Sequence, residues 1–286
     1  MLAAQLLLLL TALTWGSTFV ATKICLKYMS PLELMAFRFA IGLPVLMILL
    51  VARRASLSPG RNWKAIILAA VVIGAHFIIQ ITGIKYTTAT NTGWIISLTP
   101  LVVTVMAAVI LKERIGVKTV VGIVVASTGI ILLISRGRIG SLRWLSSVGD
   151  WLVLASAHTW ALYTILTRNL SRSQNPLSVT FLVLLPSAIM AVGAVLLTTD
   201  LGRFATLPAE AVVSLLFLGV LGTALGHWFW QHGIAKVGAA RAGVFLYLEP
   251  VATTAVAVPY LHESFGIFTA IGGLLVLAGV WIAQRK

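Results

Sequence analysis

The sequence predicts an all-α polytopic membrane protein, with ten transmembrane helices arranged as two inverted five-helix repeats around a central cavity. Three observations predict it. The composition is 59% hydrophobic and only 10% charged, with a mean hydropathy of +1.03. Soluble domains sit near half apolar and a quarter charged. Apolar runs of about 20 residues, the length that crosses a bilayer, recur with little between them. The second half of the chain also repeats the first.

The spans are read at roughly 2–22, 32–51, 64–84, 91–111, 116–135, 147–167, 177–198, 209–230, 241–261 and 265–283, each within a few residues. The opening run MLAAQLLLLLTALTWGSTFVATK lacks the positive stretch of a signal peptide and is long enough to span, so it reads as a retained first helix. The connections, such as RRASLSPGRNWK and SRGRIGSLRW, are too short to fold as separate domains.

The net charge of +14 comes from Lys and Arg scattered through short loops, as expected of loops facing anionic lipid. No basic stripe with interleaved aromatics suggests nucleic acid. Counting by loop parity puts thirteen Lys and Arg on one side, including Arg53, Lys112, Arg168, Arg172 and Lys236. The other side holds seven, including Lys23, Lys85 and Arg203. The positive-inside rule therefore predicts that both termini are cytoplasmic. The single Cys25 forms no intrachain disulfide.

The repeat is clearest in LTPLVVTVMAAVILKERIG (98–116) and LEPVATTAVAVPYLHESFG (248–266), which align without a gap at an offset of 150. Pro100 matches Pro250, Glu113 matches Glu263, and Gly116 matches Gly266. Gly122 and Gly129 continue the register onto Gly272 and Gly279. Upstream, HFIIQ (76–80) resembles HWFWQ (227–231), and TWGSTFVATK (14–23) resembles TWALYTILTR (159–168). The predicted units are 1–138 and 139–286. Five spans is an odd number, so the second unit enters the membrane from the opposite face. Such inverted repeats are a common architecture of secondary transporters, with cargo held near the midplane between the halves.

Ten helices in two repeats, closed by LTPL…LKERIG and LEPV…LHESFG, resemble the EamA family of the drug/metabolite transporter superfamily. Within it, length and aromatic content are most similar to bacterial aromatic amino acid exporters of the YddG type. The resemblance covers the whole chain and implies a central cavity, cytoplasmic termini and export of small metabolites, often amino acids.

Polar side chains in hydrocarbon are costly unless paired or facing water, which makes them site candidates. His76 and Gln80 share one helix face, and His227 and Gln231 repeat the spacing; they line a cavity or hydrogen-bond neighbouring helices. The aromatics Trp94, Trp160, Tyr163, Trp228 and Tyr247 offer stacking or cation–π surfaces, or anchor at the membrane interface. Pro100 and Pro250 kink their helices. Glu249 stands where the first repeat has Thr99 and offers a carboxyl to a substrate ammonium or a proton. Glu113 and Glu263 are expected to cap the helix that follows each. Arg38 reads as snorkelling or as pairing with Glu33, with a substrate carboxylate as a further partner.

HES does not extend to H-E-x-x-H, because position 266 is glycine; no metal site or cofactor is predicted. No Walker A pattern or soluble motor domain is present, so ATP is not the expected direct energy source. Facilitated diffusion and proton antiport both remain open. An intramembrane enzyme would require a nucleophile–base pair or paired aspartates inside the spans, whereas Asp150 and Asp200 fall at span edges. Another small metabolite or a cationic drug is the alternative cargo; a phosphorylated one would call for several cavity Lys or Arg. The oligomeric state is not legible.

Overall fold

A computed structural model describes residues 1–58, 62–135, 147–261 and 267–284. Its principal helices are α1 (Leu2–Cys25), α2 (Pro31–Ala52), α3 (Trp63–Tyr86), α4 (Ala89–Ile96), α5 (Thr99–Ile110), α6 (Val117–Ser135) and α7 (Val148–Ser173). They continue with α8 (Pro176–Thr198), α9 (Ala209–Leu216), α10 (Gly226–Val237), α11 (Ala239–Gly243), α12 (Leu248–Leu261) and α13 (Ile267–Gln284). A π-helical segment, Phe217–Leu225, joins α9 to α10. A 3₁₀ turn, Val244–Tyr247, joins α11 to α12. Joining α4 with α5, α9 with α10, and α11 with α12 gives ten spans among the described residues. The predicted boundary at 138/139 lies outside them.

Five stretches among the described residues are long and apolar enough to cross a membrane: α1, α2, α3, α8 and Ala209–Val237. Their outward faces carry large apolar side chains such as Val71, Ile189 and Leu197. A surface of that kind is covered by lipid rather than water. Helix α7 is the polar member. Asp150, Ser156, Thr164, Thr167 and Ser171 are all buried on it, so it belongs at the centre of the bundle.

Local chemistry fixes the helix ends. Ser30 and Glu33 form a reciprocal capping box at the start of α2, with Pro31 as its first residue. Ser147 and Asp150 do the same for α7. The two prolines expected to kink their helices lie just after interruptions of the spans. Pro100 is the second residue of α5 and Pro250 the third of α12. Each span breaks before its proline and restarts, so the missing N–H falls in the first turn, where it has no intrahelical partner anyway.

Helix contacts come in symmetric pairs. α1 packs on α10 and on α12, while its counterpart α7 packs on α3 and on α5. α2 meets the π segment as α8 meets α3, and α2·α8 and α6·α13 are self-matching. In the last pair, a Cβ at Gly122 would strike the Gly279 carbonyl, and one at Gly129 the Gly272 carbonyl. Numbering rises along α6 as it falls along α13, so the two helices run antiparallel. Each glycine also faces the repeat mate of the other. That reciprocity is the mark of a two-fold interface, and small residues let the backbones approach.

Gly279→Val therefore overpacks the α6–α13 seam and is expected to cost about 1–3 kcal/mol, read as a lower thermal midpoint in detergent. Gly193→Ala, where an added Cβ meets nothing within 4 Å, is expected to hold or slightly raise it.

Candidate functional site

The bundle centre is an aromatic cluster. Trp15 on α1 and Trp160 on α7 meet edge to face, with centroids 4.8 Å apart. Each also packs on a histidine of the opposite repeat: Trp15 on His227 at 5.2 Å, Trp160 on His76 at 5.1 Å. Trp230 lies 5.6 Å from both tryptophans. The mates Trp15/Trp160 and His76/His227 thus surround a pseudo-two-fold axis.

A cavity of about 50 Å³ opens beside this cluster. α1 lines it with Trp15, Thr18, Phe19 and Thr22, and α3 with His76, Phe77 and Gln80. Both series climb toward their helices' C-terminal ends, where Lys23 donates to the Lys85 carbonyl. Ile96, Thr99, Trp160, His227, Leu246, Arg38 and Glu249 complete the wall. At about 10–15 Å³ for one water's accessible volume, the space holds a few waters.

The polar groups on this wall are unevenly satisfied. His76 Nδ1 donates to the Ser156 carbonyl at 3.0 Å. His227 Nδ1 faces the carbonyls of Gly222 and Thr223. In each ring the hydrogen therefore sits on Nδ1. Trp15 Nε1 donates to the Gly222 carbonyl at 2.8 Å. By contrast, His227 Nε2, Trp160 Nε1 and Thr99 Oγ1 are buried with no hydrogen-bond partner among the described residues. Glu249 is 4% exposed, and its carboxyl likewise has no partner among them. Its backbone is fixed instead: Thr253 Oγ1 donates to both the Glu249 and Gly16 carbonyls at 2.8 Å. α1 approaches so closely there that a Cβ on Gly16 would strike the Glu249 carbonyl.

His76, Gln80, Trp160, His227 and Glu249 are brought together as lining residues. Four other predicted lining residues are placed elsewhere. Tyr163 sits behind Trp160 at 5.2 Å, and its hydroxyl accepts from Gln231 Nε2 at 2.6 Å. Gln231 also donates to Thr167 Oγ1 and accepts from Ser171 Oγ, which stitches α10 to α7. Tyr247 hydrogen-bonds Ser127 on α6 at 2.7 Å. Trp228 lies under the Arg53 guanidinium at 4.7 Å, far along α2 toward its C-terminus. The Trp94 side chain and Glu263 lie outside the described residues.

Glu113 differs from expectation in its target. Its carboxylate accepts from the backbone N–H groups of Ala239 and Ala240 at 3.1 and 3.2 Å and pairs with Arg168 at 3.0 Å. It caps α11, in the other repeat, and not the helix that follows it. Arg38 neither snorkels nor pairs with Glu33. It is buried on the cavity wall, while Glu33 bonds Ser30 N, Thr199 and Arg203. Sequence reasoning missed Phe77, Thr18 and Thr99 as lining residues; their types carry no signal apart from helix position.

The pattern of the EamA-like transporter family matches residues 2–135 and again 147–284. Among curated proteins, the uncharacterized transporter YyaM of Bacillus subtilis is 29% identical over 94% of this chain and 89% of its own. An uncharacterized transporter of Archaeoglobus fulgidus is 28% identical over 99% and 97%. A probable terminal-alkyne amino-acid exporter of Streptantibioticus cattleyicolor is 28% identical over 98% and 92%. A solved crystal structure matches 98% of this chain and 96% of its own with a TM-score of 0.78 at 21% identity, which shows the fold.

The two repeat-related glutamines separate structural from transport roles. Gln231→Leu removes three interhelical hydrogen bonds, each worth about 0.6 kcal/mol in a bilayer, and is expected to lower stability by about 2 kcal/mol in a detergent unfolding titration. Gln80→Leu is expected to leave stability unchanged and to alter transport.

Proposed function

The chain belongs to the EamA-like transporter family, and on that premise we propose that it is a secondary exporter of amino acids with apolar or aromatic side chains. In this reading it sits in a bacterial-type cytoplasmic membrane with both termini inside, and cargo crosses by alternating access between two five-helix units, 1–138 and 139–286.

One observation carries the cargo class. A tryptophan-walled cavity presents a buried, unpartnered carboxyl at Glu249, with His227 Nε2, Trp160 Nε1 and Thr99 Oγ1 also unsatisfied beside it. Buried polar atoms without partners are costly. An ammonium would give the Glu249 carboxyl a partner, and an aromatic side chain would pack against Trp15 and Trp160. The resemblance to a probable amino-acid exporter supports the same class.

The unlike surroundings of the mates Gln80 and Gln231 support alternating access. Gln80 lines the cavity at the end marked by Lys23 and Lys85. Gln231 is sealed among Ser171, Tyr163 and Thr167 at the other. Exchanging the conformations of the two units would open Gln231 and seal Gln80, turning the cavity to the opposite face. The basic-rich end being cytoplasmic, the cavity described here faces outward. At about 50 Å³ it is too narrow for a whole amino acid, so its walls part when cargo enters.

The test is uptake of radiolabelled phenylalanine or tryptophan into liposomes carrying the purified protein. Saturable uptake, competed by unlabelled analogue and reduced at least about tenfold by Glu249→Gln, is the expected result. A pH gradient that speeds uptake by the wild type and not by Glu249→Gln would assign proton coupling to that carboxyl. Folded protein that moves no amino acid, while moving a cationic drug, would replace this cargo with the alternative one.

A further inference from the structure

We infer that Arg38 anchors the carboxylate of the cargo, so that the cavity grips a zwitterion by both ends, its carboxylate on Arg38 and its ammonium on Glu249. This rests on the amino-acid reading above and adds to it the group that would set selectivity.

Arg38 lies in mid-α2, 4% exposed. Its Nε donates to Thr223 Oγ1 at 2.9 Å, and its guanidinium lies 4.4 Å from the centre of the Phe77 ring. No carboxylate among the described residues comes within 4.0 Å, and its terminal nitrogens have no hydrogen-bond partner there. An unpaired buried charge is destabilising, and an intramembrane arginine marks a functional site by default. The guanidinium is held ready for a planar anion. Thr223 Oγ1 donates to the Leu218 carbonyl five residues back, so its lone pair is what meets Nε. Phe77 supports one face of the plane. The forked end is left for a carboxylate, whose two oxygens match it.

Symmetry points the same way. Glu249 stands where the first repeat has Thr99. Aligning the first residues of α2 and α8, Pro31 and Pro176, sets Arg38 against the apolar Val183. The two charged lining residues are thus both departures from the repeat, one of each sign. A symmetric wall cannot tell the ends of its cargo apart; this pair gives the cavity a positive and a negative pole. A dianionic phosphate would meet one cation and, on the same wall, a carboxyl.

The experiment compares uptake of phenylalanine, phenethylamine (which lacks the carboxylate) and 3-phenylpropionate (which lacks the ammonium) by the wild type, Arg38→Gln and Arg38→Lys in liposomes. The expected wild-type preference for phenylalanine over either analogue is at least about tenfold. Arg38→Gln should abolish its preference over phenethylamine, and Arg38→Lys should restore part of it. Equal wild-type uptake of phenylalanine and phenethylamine would overturn the inference without any variant. So would equal loss of all three compounds in folded Arg38→Gln. If the wild type moves none of them, the amino-acid reading falls, and this inference with it.

Discussion

The bundle turns on the contact between Trp15 and Trp160. A residue on a two-fold axis must pack against its own mate, and two large aromatic rings do this well edge to face. The 4.8 Å centroid distance and near-perpendicular planes fit that preference. Each ring then carries the opposite repeat's histidine, so four side chains from four spans converge at one point. On one side of this point the helices part to form the cavity. On the other, Trp230 and the Gln231 network fill the space.

Polar contacts tie the helices together on both sides of this point. At the sealed end Gln231 makes three interhelical bonds, and Glu113 joins Arg168 to the first turn of α11. Asp150 plays a comparable part at the other end of α7, accepting from Thr87 and Asn91 beside the start of α4. Helix α7 is therefore tied at both ends to the interrupted spans, which explains why it is polar where its neighbours are apolar. Around the cavity, Arg38, Glu249, His227, Trp160 and Thr99 all carry polar atoms without a partner among the described residues.

Much of the fold was legible because membrane crossing imposes length and apolarity, and because Pro100/Pro250 and Gly122/Gly272 repeat in register. His76, Gln80, Trp160, His227 and Glu249 were legible as lining residues for a similar reason: polar and amphipathic groups in hydrocarbon need a cause. The same rule misplaced Gln231 and Tyr163, because a hydrogen-bonded seal between helices leaves the same trace in the sequence as a wet wall. It also missed the target of Glu113. Its position beside Gly116 suggests the next helix, whereas the cap it makes depends on a fold that brings Ala239 alongside. Arg38 was visible as a charge inside a span, but its partner was not. Glu33 is nearby in sequence, yet it is engaged by the capping box and by Arg203.

Exchange of roles between the repeats is the central claim, and thiol accessibility tests it most directly. Gln80→Cys and Gln231→Cys would be introduced singly and together, with Cys25 replaced, in vesicles probed from each face with a membrane-impermeant thiol reagent. Alternating access predicts that the thiol at 80 reacts only from the face bearing Lys23 and Lys85, and the thiol at 231 only from the opposite face. Modification of either should then protect the other in the double variant. Reaction of both thiols from one face, or full independence of the two, would contradict it.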